Sequence, residues 1–406
     1  MLASLIPLFD GSMKVHAYSV FAQKQNYLKD PAYFGIGRLD GASNVDGLDI
    51  VDSIGMTTLS DDKEVFIELN NISIFADLDL QCSTPHNKIV LLINSNITPQ
   101  DQYIERIKEL KSKEYKFAIR ELVDADYDTY TEILKLMDYI LLDHKKLSIK
   151  HAKRFFQTEY PDVKLCAVNI DSQEEFDSLK EEGEFELYEG DFFRAPVLKG
   201  GEKVAPLKAT YIQLINVVNN EDFELTKAAD VIERDTVLVI SLLKMVNKMT
   251  VNSGVKSVRH AAAMLGQKEM RQWINTAVTK ELCADKPSEI SRLSLQRAKF
   301  AQNLAGSFGL QQFDSELFLV GLFSVIDIIL NKPMEEALEM VKLSKDISEA
   351  ILNHTGKYGN VLEFIIKYEE ASWQEVSRQM LLQKIEMKDV YDAYIESLRW
   401  YRDLFN

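Results

Sequence analysis

Residues 88–94 read Lys-Ile-Val-Leu-Leu-Ile-Asn, five apolar side chains in a row between two polar ones. A strand with one wet face alternates apolar and polar residues, whereas a strand covered on both faces need not. The run therefore predicts a strand of a parallel sheet with helices packed over it. Working outward, Val65–Leu69, Lys116–Ile119, Tyr139–Leu142 and Val163–Val168 have the same texture. Helical patterns lie between them at Tyr103–Lys113, Asp126–Met137 and Gln173–Glu182. Strands alternating with helices of this length indicate βαβ units. Residues 1–198 hold enough of them for a small (β/α) barrel of the TIM type.

The texture changes after residues 199–206, Lys-Gly-Gly-Glu-Lys-Val-Ala-Pro, whose glycine pair, charges and proline read as a linker. From Leu207 to residue 406 no strand pattern appears. Apolar positions recur at helical spacing, as in Leu238, Leu242, Met245 and Val246. The expected fold class is thus α/β followed by all-α, a barrel and then a helical bundle. A length of 406 residues, more than one core usually supports, agrees with two domains.

Composition narrows the function. A formal charge of −16 opposes a nucleic-acid partner and an anionic membrane surface. Cys82, Cys166 and Cys283 are odd in number and far apart, as expected of buried thiols in a reducing compartment. The amino terminus has no basic stretch before its apolar residues, so no signal peptide is expected. The longest apolar run, Leu317–Leu330, is interrupted by Ser324 and Asp327 and reads as a core helix rather than a membrane span. A cytoplasmic protein is expected. No GxSxG elbow, P-loop, HExxH or glycine-rich dinucleotide turn occurs. His260 is followed by alanine and His354 by threonine, so neither forms a His-Asp dyad. Asp143-His144 is the one acid–histidine neighbour pair. Structural or surface roles are expected for all six histidines.

Several longer segments are distinctive. The first half contains Tyr18-Ser-Val-Phe-Ala-Gln23, Phe66-Ile-Glu-Leu69, Phe117-Ala-Ile-Arg-Glu-Leu122, Asp138-Tyr-Ile-Leu-Leu-Asp143 and Gly183–Pro196. The second contains Ile232–Asn247, Ser257–Gly266, Arg271-Gln-Trp273, Phe318–Asp327, and His354 followed by Tyr368-Glu369 and Trp373. Taken together these resemble the EAL–HDOD family of bacterial signalling proteins over essentially the whole chain. The resemblance implies an EAL-type barrel in 1–198, a domain that normally hydrolyses cyclic di-GMP with paired Mg²⁺ or Mn²⁺ ions. It implies an HDOD domain in 207–406, a helical relative of metal phosphohydrolases without their metal ligands.

Against the family pattern, Ser19 stands at the glutamate of "YEALLR", a metal ligand, and Gln23 at its arginine. Glu68 stands at the metal-binding asparagine of the "FVNL" strand, and Leu92 at the glutamate of the next. Arg120 reverses the charge of the first aspartate in "LALDDF", while Glu121 keeps an acid at the second. Leu141 takes the lysine of "DYIKID", Val168 the first glutamate of "AExVE", and Glu189 the glutamine before "GYFFxRP"; Asp171 keeps an acid. Barrel active sites gather at C-terminal strand ends, and a metal pair there needs several carboxylates. Leucine and valine supply none. The resemblance thus implies a degenerate barrel and a catalytically inactive regulatory protein that acts as an interaction scaffold. It is expected not to be an enzyme, with no catalytic or metal-ligating residue, no cofactor, and ligand-binding residues left open. The expected partners are other bacterial regulatory proteins and a second copy in a homodimer; nucleic acid, membrane and cyclic di-GMP are not expected. The alternative is a sensor that binds cyclic di-GMP without hydrolysing it. A third reading is residual phosphodiesterase activity that depends on Glu68 and Glu121; with Asp171 these acids could hold at most one cation.

Overall fold

The structure is a computed structural model of the chain. It describes residues 1–24, 26, 28, 44–183, 185–196, 205–220, 222–249 and 255–405. Eight strands, β1 (Leu2–Phe9), β2 (Val15–Gln23), β3 (Glu64–Glu68), β4 (Ile89–Ile93), β5 (Lys116–Ile119), β6 (Tyr139–Asp143), β7 (Lys164–Ile170) and β8 (Leu187–Gly190), close in chain order into a barrel. β1 runs antiparallel to β2 and β8, and every other pairing is parallel. The expected strands lie within two residues of β3 to β7. All five residues of β4 are buried, which is the reason its sequence does not alternate.

Side chains from all eight strands fill the barrel. Leu8, Ala17, Phe66, Val90, Leu92, Ala118, Tyr139, Leu141, Cys166, Val168 and Leu187 form one buried cluster. Burying each large member stabilises the fold by about 1.5–3 kcal/mol. One helix departs from expectation. Asp126–Met137 yields α-helix only at Thr131–Leu134, after a 3₁₀ turn at Asp124–Asp126. The Asp126 carboxylate accepts from Val123 N–H at 3.0 Å, and such local bonds compete with helical ones. The Ile149–Glu159 helix, on the connection from β6 to β7, was not read from the sequence.

The chain divides into two compact units, Met1–Ala195 with Phe364–Asn406, and Pro196–Glu363. This corrects the expectation of a helical domain running from 207 to 406. The final helices group with the barrel, and named bonds hold them there. Ala3 N–H donates to the fully buried Tyr368 hydroxyl at 3.1 Å, and Ser4 Oγ to the Glu369 carbonyl at 3.0 Å. Gln23 Nε2 donates to Ser377 Oγ and Asn26 Nδ2 to the Ser377 carbonyl, each at 3.1 Å. Arg402 reaches Thr58 Oγ1 at 2.8 Å. Residues 199–204 of the expected linker lie outside the described residues.

The second unit is helical throughout its described residues. The apolar run at 317–330 forms two buried helices, Asp314–Phe323 and Ile326–Leu330, which meet at Ser324. Ser324 Oγ donates to the Gly321 carbonyl at 2.7 Å and accepts from Arg297 Nη1 at 2.8 Å. Among the described residues no helix is long and apolar enough to cross a membrane.

Candidate functional site at the barrel mouth

Side chains two residues apart on a strand share a face. Continuing from the filled interior toward the C-terminal ends of the parallel strands, Ser19 follows Ala17, Glu68 follows Phe66, and Leu92 follows Val90. By the same step Asp143 follows Leu141, Val168 follows Cys166, and Glu189 follows Leu187. Arg120, just past β5, follows Ala118. These residues make the inner rim. Register agrees, since Leu92 of β4 pairs with Glu68 on one side and Ala118 on the other. Leu92, Leu141 and Val168 are 3%, 4% and 7% exposed, so the apolar side chains singled out in the sequence plug the top of the barrel.

Arg120 governs the polar part of the rim. Its Nη2 lies 2.8 Å from Glu68 Oε1, and its guanidinium sits 5.9 Å from the centre of the Phe21 ring. Its positive charge also pulls down the Glu189 pKa, but burial outweighs that pull. The Glu189 carboxyl is held above its ordinary value by desolvation, although the Ser19 hydroxyl donates to it at 3.0 Å. Arg120 Nε is buried without a partner among the described residues. The guanidinium thus pairs with Glu68 and acts through its field on Glu189, placing a fixed positive charge at the rim.

Across the rim, Asp143 accepts from Asn169 Nδ2 at 2.7 Å and from Lys145 N–H at 3.0 Å. Asn169 has a φ of 62°, a region its short polar side chain tolerates. Asp171 is paired with Lys145. Glu121 is exposed and also left-handed, at φ 63°. Asp143 carries a rim acid that the sequence reading placed only within a motif; counting two residues on from Leu141 would have found it. Among the described residues, no three His, Cys, Asp or Glu side chains are grouped so as to hold a metal ion.

The remaining candidates lie elsewhere. His144 bonds the Val168 carbonyl at 3.0 Å, and His86 stacks on Tyr115 with ring centres 4.2 Å apart. His354 ends a helix at φ 53°. Cys82, Cys166 and Cys283 are buried and unpaired with one another. Burial pushes the Cys283 thiol up to about 12 and raises that of Cys166 well above its ordinary value, so neither is an activated nucleophile.

A family model described as "HDOD domain" matches residues 204–355. This stretch is similar to HDOD domains. The matched span falls wholly inside the second compact unit, 196–363. Over 344 residues, 84% of this chain and 78% of the relative, it is 27% identical to a Vibrio cholerae protein named "Cyclic di-GMP phosphodiesterase CdgJ". Over 363 residues, 87% of each, it is 26% identical to the Bacillus subtilis protein YuxH. Among solved structures it is similar to Klebsiella pneumoniae BlrP1 with manganese and cyclic di-GMP, at 18% identity and a TM-score of 0.37. That match covers 47% of this chain and 55%, about half, of BlrP1. A standalone EAL protein of Vibrio cholerae O395 matches at 15% identity and a TM-score of 0.36, over 47% of this chain and 90% of that one. A closed barrel followed by a helical stretch that matches the HDOD model bears out the resemblance to EAL–HDOD signalling proteins.

One expectation is overturned. The sequence predicts that the chain is not an enzyme, yet a relative aligned over 84% of it is named a phosphodiesterase. Substitutions at Ser19, Leu92 and Val168 do not exclude activity for this chain, and that exclusion does not stand.

Proposed function

We propose that this chain is a regulator in cyclic di-GMP signalling that passes its signal through protein association, with the barrel as a platform and the HDOD domain as an adaptor. The observation that carries this reading is the barrel mouth: Leu92, Leu141 and Val168 fill it, and Arg120 ties up Glu68. A filled, charge-paired rim is a stable surface. Signalling by association requires only that a partner bind two states of the chain unequally. Other bacterial regulatory proteins are the partners this reading calls for.

A second reading, phosphodiesterase activity, is favoured by the name of the Vibrio cholerae relative. It would rest on Glu121 and Asp171, acids kept at family positions, and on Glu68, which stands at the family's asparagine. The two separate in one experiment. A triple Glu68→Gln, Glu121→Gln, Asp171→Asn variant is expressed in a strain deleted for the chain, and a cyclic di-GMP-dependent behaviour such as motility is scored. Association predicts full complementation. Loss of complementation by a folded variant, together with Mn²⁺-dependent hydrolysis by the unaltered protein that the variant lacks, would establish the phosphodiesterase.

A further inference from the structure

The HDOD-like stretch holds a cavity that the proposed function does not use. Its geometry begins at Gly266, whose φ of 82° ends one helical segment and starts the next. That backbone region suits glycine and strains other residues. Beyond the kink, Lys268, Arg271, Gln272 and Asn275 recur three and four residues apart and so share one helical face. The Asp314–Phe323 helix forms the opposite wall, and the space between is 430 Å³, within the range of small-molecule sites.

Most polar groups of this cavity are already satisfied. Lys268 Nζ bonds both Asp314 carboxylate oxygens, at 2.9 and 3.0 Å. Asn275 and Asn219 exchange hydrogen bonds at 2.9 and 3.0 Å, and Gln272 donates to Gln302 at 3.3 Å. Two charges remain. Arg271 is half-buried with its guanidinium 5.3 Å from the centre of the Phe223 ring, and its one hydrogen bond among the described residues is a long 3.5 Å contact to the Asn220 carbonyl. Desolvation lowers its pKa, and the field of Glu316 raises it. Glu316, half-buried on the facing wall, has no ion-pair or hydrogen-bond partner among the described residues. A cation and an anion that share a partly desolvated cleft without touching are incompletely compensated. Leu319, 7% exposed, borders the same space, with the core residue Phe318 behind it.

We propose that this cavity binds an α-amino acid with an apolar side chain, its carboxylate on the Arg271 guanidinium, its ammonium on Glu316 and its side chain toward Leu319. Arginine's planar fork matches a carboxylate in a bidentate pair. A ligand with only one charge leaves either Arg271 or Glu316 unanswered. This site is separate from the barrel mouth and stands whether or not the chain acts by association.

The test is saturation-transfer NMR and thermal denaturation of the full chain with L-leucine, L-methionine and L-phenylalanine. N-acetyl-leucine and leucinamide, each lacking one charge, serve as controls. At least one free amino acid is expected to bind and raise the melting temperature, with both one-charge controls at least tenfold weaker. Arg271→Gln and Glu316→Gln are each expected to weaken binding at least tenfold. Absence of binding by all three amino acids would overturn the proposal, as would equal binding of N-acetyl-leucine and leucine. Unchanged affinity in Glu316→Gln would do the same. Should Arg271→Gln fail to fold, the one-charge controls on the unaltered protein still decide.

Discussion

Glu189 titrates in a setting that makes the stability of the barrel depend on pH. Burial holds its carboxyl above the ordinary value, so the folded chain binds this proton more tightly than the unfolded chain does. The stabilisation is fully present below the unfolded carboxylate range, about pH 4, and is lost as pH rises through the raised pKa. Glu189→Gln keeps an oxygen for the Ser19 hydroxyl and removes the titration. Urea denaturation at a series of pH values should then show a flatter profile above pH 4 and a gain at neutral pH; an unchanged profile would show that Glu189 is not its source. Arg120→Ala should act oppositely. The half-exposed Glu68 pair is worth only about 0–1 kcal/mol, but loss of the guanidinium raises the Glu189 pKa further. The fall in stability should extend to higher pH than in the unaltered protein, and the same denaturation series measures it. None of this coupling is legible in the sequence, where Glu68, Arg120 and Glu189 lie on three separated segments that only barrel closure brings together.

At the scale of elements, β3 to β7 were legible because strands buried on both faces are continuous apolar runs. The same logic fails for the short connection at residues 124–137, held by Asp126 and by the buried Tyr127 and Tyr130. Gly321 gives another case. A Cβ there would sit 2.5 Å from the Arg297 carbonyl and 2.6 Å from Ala298 N and Cα, so the Asp314–Phe323 and Ser288–Leu304 helices meet backbone to backbone. Gly321→Ala must push them apart, and overpacking of this kind costs about 1–3 kcal/mol or more. Chemical denaturation should report a loss in that range, and a loss under about 0.5 kcal/mol would mean the helices yield easily. Tyr368→Phe removes the oxygen that accepts from Ala3 N–H. An unpaired buried donor costs about 1–3 kcal/mol, which the same measurement reads.

For the whole molecule, the division at residues 195 and 363 was half legible. The end of the barrel strands and the change of texture after them could be read, and the HDOD match agrees with where the helical unit lies. That Phe364–Asn406 belongs with the barrel could not be read, because an amphipathic pattern records that one face is buried and not what covers it. A chain truncated after Glu363 should therefore lose barrel stability, seen as earlier urea unfolding and faster proteolysis of residues 1–195. Equal resistance in the two chains would separate the segment from the barrel energetically. The central claim, that signalling is carried by association rather than by the acids at the barrel mouth, is tested most directly by complementation with the triple variant Glu68→Gln, Glu121→Gln, Asp171→Asn at matched protein levels. The account predicts behaviour restored to that of the unaltered chain. A folded, normally expressed triple variant that restores nothing would contradict it.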